Sequence, residues 1–212
     1  MVIPLISAWI LALIAAVKGW KSVKKKWLTK RIVIYGMPAT GKTTFCKFCQ
    51  GEQITKQYVP TPNTTKVNMD KHHPTPDNDN MIKEWLSWVQ SWVAIDTAGQ
   101  DKHNRDLKEM RCLIRQAHKV LYFVRADQCE NRDTLLTIKV NTKQYQQDLQ
   151  GKLIFVVTHI DKVPNFPKAA WEKEAVIQDV LSLACNKHIE YVSLTAENIQ
   201  ESSSKILESI GN

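Results

Sequence analysis

The stretch that decides the fold is Arg31–Gln50, RIVIYGMPATGKTTFCKFCQ. Ile32, Val33 and Ile34 form the kind of short apolar, β-branched run expected of a strand buried on both faces. The run stops at Gly36, and Gly36–Thr43 fits G-x-x-x-x-G-K-T before a helix predicted over 42–50. Strand, glycine-bearing turn and helix in that order are the setting in which such a loop cradles phosphate. Gly36 and Gly41 permit backbone angles that turn successive N–H groups toward phosphate oxygens. Lys42 reaches the β- and γ-phosphates, and the Thr43 hydroxyl is placed to ligate Mg²⁺. Pro38, Ala39, Thr40 and Thr44 complete the residues expected around the phosphates.

The surrounding sequence supports that start. Strands are predicted at 31–36, 89–96, 120–124, 153–158 and 190–194, with a weaker one near 64–69. Helices are predicted at about 42–50, 103–117, 133–149, 168–186 and 197–210. Strands alternating with helices indicate an α/β fold with a mostly parallel sheet flanked by helices, a P-loop NTPase architecture. The stretch 60–80, rich in Pro, Asn, Asp and Thr, reads as loop. No internal repeat or low-complexity tail interrupts the pattern.

Two strand ends carry further chemistry. The strand at 89–96 runs into Asp96-Thr97-Ala98-Gly99-Gln100. Asp96 is placed to hold Mg²⁺, Gly99 to offer its N–H to the γ-phosphate, and Gln100 to orient the attacking water. The strand at 153–158 runs into Thr158-His159-Ile160-Asp161. The Asp161 carboxylate can accept from N1–H and the 2-amino group of guanine; adenine presents neither donor there, so Asp161 selects GTP over ATP. Further on, the Thr195–Ala196 backbone is a candidate partner for guanine O6. An adenine-nucleotide enzyme remains the reading in which Asp161 is incidental.

These motifs resemble the Ras-like small GTPases over about 30–212, with a lean toward the Arf branch. Gln100-Asp101-Lys102 directly after Gly99 is similar to the Arf pattern, and Tyr58-Val59-Pro60-Thr61 resembles the Pro-Thr of the Arf first switch. The resemblance implies GTP and GDP as ligands, Mg²⁺ as cofactor, Thr61 as the second Mg²⁺ hydroxyl and Lys42 and Gln100 as the catalytic pair. Thr64 and Thr65 are rivals of Thr61. Three motifs depart from the family. Thr158-His159 stands for Asn-Lys, so His159 replaces a lysine stem that packs on the base. Thr-Ala-Glu at 195–197 stands for Ser-Ala-Lys, and Pro38 stands for a common glycine, which stiffens the loop and removes one N–H.

Charge and hydropathy set the N-terminal segment apart. The chain has 212 residues and net charge +8, of which residues 1–31 contribute +7 and no acid. The remaining 181 residues carry 22 basic and 21 acidic side chains, so a nucleic-acid-binding surface is not expected. Residues 2–17, VIPLISAWILALIAAV, contain no charge. A helix over 1–20 would span roughly 30 Å, the thickness of a hydrocarbon core. Lysines on its C-terminal side predict a cytoplasmic domain. The division expected is therefore a transmembrane anchor at 1–20, a basic juxtamembrane linker at 21–30 and a small GTPase domain at 31–212. A cleaved signal peptide and a helix lying in the interface are the competing readings; Val2 excludes N-myristoylation. An anchor ahead of an Arf-like domain resembles signal recognition particle receptor β subunits, and a prokaryotic Ras-like GTPase on an anchor fits equally.

The function expected is a single-pass membrane GTPase that hydrolyses GTP slowly and recruits a cytoplasmic effector or activator through its switch segments. The alternative is a GTP-bound scaffold that does not cycle. Five scattered cysteines argue against a disulfide framework. Cys46 and Cys49 read as small core residues rather than a redox or metal pair. His72-His73 reads as solvated, and Trp85, Trp88 and Trp92 as hairpin packing or a partner-binding face.

Overall fold

The computed structural model describes residues 30–50, 52, 54, 65–68, 92–96 and 107–211. Within them the strands are β1 (Lys30–Gly36), β2 (Thr65–Asn68), β3 (Trp92–Asp96), β4 (Lys119–Arg125), β5 (Leu153–Thr158) and β6 (Ala184–Tyr191). The helices are α1 (Lys42–Gln50), α2 (Leu107–Gln116), α3 (Arg132–Gln144), α4 (Gln146–Leu149), α5 (Lys168–Trp171), α6 (Ala175–Leu183) and α7 (Ile199–Gly211). Among the described residues the strands form one sheet in the order β2-β3-β1-β4-β5-β6. Only β2 is antiparallel to its neighbour; the other pairs are parallel.

Side-chain alternation along the central strands divides the core in two. Val33, Tyr35, Val120, Tyr122, Val124, Leu153, Phe155 and Val157 face a layer that includes Ile114 of α2, Ile138 of α3 and Ile177 and Val180 of α6. Ile32, Ile34, Leu121, Phe123, Ile154 and Val156 face Phe45, Cys46 and Cys49 of α1 and Ile206 and Ile210 of α7. A strand covered on both sides has no reason to alternate with polar residues, which is why these strands read as continuous apolar runs. Each fully buried aliphatic or aromatic side chain contributes about 1.5–3 kcal/mol by leaving water. Cys46 and Cys49 are core residues, as expected, and burial pushes the Cys49 thiol up to about 12.

The structure corrects three of the expected boundaries. The helix expected over 133–149 is broken at Tyr145 into α3 and α4. One turn earlier the Thr142 hydroxyl donates to the Ile138 carbonyl at 2.7 Å, competing with the helical ladder. The helix expected over 168–186 is likewise divided, because Glu174 is extended at the start of α6. The last strand is shifted. It begins at Ala184, where helix was expected, and ends at Tyr191 rather than Leu194. A bulge accommodates this: β5 advances from Leu153 to Phe155 while β6 advances from Ala184 to Ile189, with Lys187 at φ +54°. Val192 still donates its N–H to Val157 O at 2.9 Å, and the chain then leaves the ladder.

Residues 1–29, with the anchor and most of the basic linker, lie outside the described residues, as do His72, His73, Trp85 and Trp88. Among the described residues no helix is long and apolar enough to cross a membrane.

Candidate functional site

In a parallel sheet the loops that carry chemistry gather at the C-terminal ends of the strands, and here β1, β3, β4, β5 and β6 all end on one edge. The phosphate loop leaves β1 at Gly36, whose φ is +132°. A Cβ built there would lie 2.2 Å from Phe123 O on β4, so no larger residue fits without moving the sheet. Met37 N–H is committed to the same carbonyl at 3.2 Å. Pro38 has no N–H, so the amides that can face a phosphate begin at Ala39. Ala39 is left-handed, with φ +54°, and Gly41 follows with φ +83°. Left-handed residues set among right-handed ones turn successive N–H groups into one concavity, the geometry of an anion nest. The N-terminus of α1 opens directly behind it with Lys42, Thr43 and Thr44.

Lys42 is buried, and its ammonium folds back over the loop. It donates to Met37 O at 2.6 Å, Gly36 O at 3.1 Å and Thr40 Oγ1 at 3.3 Å. Thr40 donates its hydroxyl proton to Met37 O at 2.9 Å, which leaves its oxygen lone pairs for Lys42. The cation is thereby held over the mouth of the nest. Asp96 ends β3 in register with Ile34 of β1, two residues before Gly36, and Thr65 opens β2 opposite Asp96. The register thus brings residue Asp96 to the sheet edge from which the loop that carries Thr43 leaves. Hydroxyl and carboxylate oxygens are the hard donors Mg²⁺ prefers. Thr61, Gly99 and Gln100 lie outside the described residues.

The candidate base-reading end is assembled from three separate segments. Thr158, fully buried, donates its hydroxyl proton to Val124 O at 3.1 Å. Its contact with His159 Nδ1 at 3.0 Å is therefore one in which Nδ1–H donates, leaving Nε2 as an acceptor. His159 is left-handed, with φ +58°, and turns the chain into a short 3₁₀ segment, Ile160–Lys162, that carries Asp161 to the surface. Burial is the main reason the His159 pKa falls below the usual imidazole range. Lys162 and Arg125 push the same way, while Asp127 and Asp161 oppose them. The ring is accordingly neutral at pH 7.

Ser193, at the exit of β6, donates a short hydrogen bond from its hydroxyl to the Asp161 carboxylate. The next residue, Leu194, packs on the phosphate loop: its Cδ1 is 2.8 Å from the Cβ that Gly41 lacks. These two contacts join the candidate base-reading end to the phosphate loop. Thr195 and Ala196, the expected contributors from this loop, are exposed one step beyond it. Sequence reasoning passed over Ser193 and Leu194 because it extended the strand through them. The available signal was a serine at the first polar position after Tyr191-Val192. Also unanticipated is Arg125, which ends β4 beside Thr158 and clasps Asp127 at 2.9 and 2.6 Å. That hydrogen bonding holds the Asp127 carboxyl below its usual range, and His159 and Lys162 reinforce the shift.

A strand-loop-helix anion nest with the Asp161 carboxylate held at the same sheet edge is the arrangement expected of a P-loop GTPase. The family profile described as 50S ribosome-binding GTPase matches residues 31–159. This is more than half of the chain, and the protein belongs to that GTPase family. The match takes in the phosphate loop, Asp96–Gln100 and Thr158-His159, and stops just short of Asp161. No curated protein matches the chain.

Proposed function

We propose that the protein is a membrane-anchored, Mg²⁺-dependent GTPase switch that binds GTP, hydrolyses it slowly and recruits a cytoplasmic partner in its GTP form. The observation that supports the guanine reading is the pair of contacts Ser193–Asp161 and Leu194–Gly41, which hold the Asp161 carboxylate and the phosphate loop at one edge of the sheet. The nest amides from Ala39 onward and Lys42 would bind the phosphates. Asp161 would take the guanine N1–H and 2-amino donors, with the neutral His159 ring beside the base. Thr43, Asp96 and Thr61 would hold Mg²⁺, which when bound supplies positive charge to the β- and γ-phosphates. Gln100 would orient the water, and Gly99 and Thr61 would tie the switch segments to the γ-phosphate until hydrolysis releases them. Turnover by positioning and charge, without an arginine finger, is expected to be slow. Residues 1–20 would span the membrane, with the lysines at 18–30 keeping the domain on the cytoplasmic face.

Titrating the full chain with GTP and with ATP in the presence of Mg²⁺, then analysing the products, tests this function. Selective GTP binding that Asp161→Ala abolishes, with GDP appearing slowly and more slowly still in Gln100→Leu, supports the switch. Equal ATP binding overturns the guanine reading. Stoichiometric GTP that stays intact through purification would establish instead the scaffold that does not cycle, a reading favoured by Pro38 and by the commitment of Met37 N–H to Phe123. Failure of the chain to float with lipid vesicles would overturn the anchor alone.

A further inference from the structure

The hydrogen bond from Ser193 to Asp161 depends on where the Ser193 backbone is held, and a residue of the next helix holds it. Ser202, in the first turn of α7, is buried. Its hydroxyl accepts from Ser193 N–H at 3.1 Å and donates to Ser193 C=O at 2.7 Å. One side chain thus satisfies both polar groups of a buried backbone residue that has just left the sheet. The Ser202 backbone is fixed in turn, since its N–H donates to Asn198 O at 2.9 Å. With both peptide groups of Ser193 pinned, its Cα–Cβ bond has one direction, and its hydroxyl carries its only proton to Asp161.

Asp161 needs such a restraint. It stands exposed on a short 3₁₀ turn, and its own residue fixes only the backbone. A carboxylate that accepts two parallel donors from guanine must keep both oxygens in the plane of the base, and an untethered side chain sacrifices rotamer freedom to do so. The bond from Ser193 removes that freedom before nucleotide arrives, which is preorganisation.

We infer that Ser202 is a positioning residue for purine selectivity: through Ser193 it orients Asp161 toward the 2-amino and N1–H edge of guanine. The inference rests on the guanine reading proposed above. It assigns to the terminal helix a part in choosing the base, although α7 itself need not touch the nucleotide.

The test compares GTP with inosine triphosphate, which keeps N1–H and lacks the 2-amino group. Binding of both to the full chain gives an affinity ratio that a general loss of fold would not change selectively. The native chain is expected to favour GTP by about tenfold, the worth of one well-placed charge-assisted hydrogen bond. Ser202→Ala should bring the ratio to about two, and Ser202→Thr, which keeps the hydroxyl, should restore it. Ser193→Ala, which leaves the backbone bonds of Ser202 in place, should lower the ratio to the same degree even if Ser202→Ala folds poorly. Adding Ser202→Ala to Ser193→Ala should then change the ratio no further, since both act through one bond. An unchanged ratio in Ser202→Ala, or additive effects in the double variant, overturns the inference. If Asp161→Ala leaves the native ratio intact, the guanine reading itself fails. If Asp161→Ala removes the ratio and Ser202→Ala does not, only the role of Ser202 fails.

Discussion

The phosphate loop and the candidate base-reading end lie at one sheet edge and are built in opposite ways. The loop occupies Gly36–Thr43 without interruption, and apart from the contacts of Gly36 and Met37 with Phe123 O on β4 its geometry comes from its own backbone: a left-handed Ala39, two glycines at positive φ and a lysine bonded to carbonyls a few residues away. The base-reading end draws Asp161 from the turn after β5, Ser193 from the exit of β6 and Ser202 from α7. Local construction makes the loop intolerant of backbone change at single positions. Construction from distant segments makes the base end tunable, because each tie can be altered with the others in place. Leu194 against Gly41 is the point where the two meet.

The largest effect should come from Gly36→Ala. The new methyl meets a β4 carbonyl rather than a flexible side chain, at a φ that L-residues rarely adopt, so roughly 4 kcal/mol of stability should be lost in urea unfolding. A near-neutral result would show that loop and sheet are not rigidly coupled. Lys42→Ala should rank next, weakening GTP binding by about 3 kcal/mol, roughly a hundredfold in calorimetry, as charge-assisted contacts to phosphate disappear. Unchanged affinity would remove Lys42 from the site. Asp161→Ala should be milder still, lowering GTP affinity by about 2 kcal/mol while leaving ATP affinity unaltered. An equal loss for both nucleotides would mean that the base end acts through the fold rather than on the base.

The smallest effect concerns pH. The His159 pKa is lower in the folded chain than the ordinary value near 6.5, so the unfolded chain binds the extra proton first on acidification. The stability associated with a neutral His159 is fully present above about pH 6.5 and is lost as pH falls through the folded pKa. Thermal unfolding between pH 7.5 and 5 should show this decline, and His159→Gln should flatten it. A decline of the same size in the variant would assign it to other groups.

The difference between the two ends also explains what could be read from sequence. Gly36–Thr43 was legible because every residue it needs is within one short window and flanked by a strand and a helix. The central strands were legible for a related reason: burial on both faces leaves β1, β4 and β5 as uninterrupted apolar runs. The division of 133–149 was hidden, since a threonine inside a helix gives no sign of whether its hydroxyl turns back onto the preceding carbonyl, as Thr142 does. The end of β6 was misjudged because Val192-Ser193-Leu194 has the alternation of a strand, whereas hydrogen bonding to Ser202 takes Ser193 out of the sheet.

By itself the sequence determined that this chain is an α/β P-loop protein, which loop is the candidate phosphate site and which carboxylate is a candidate reader of the base. Those properties follow from local spacing, backbone freedom and the apolar pattern of strands covered on both faces. Only the tertiary structure decided that Ser193 meets Asp161, that Leu194 closes onto Gly41 and that Ser202 fixes the exit of β6. These contacts join residues from different elements, and whether a serine hydroxyl meets a carboxylate or a backbone amide, or a leucine methyl packs against a glycine, depends on how the whole sheet and its helices pack.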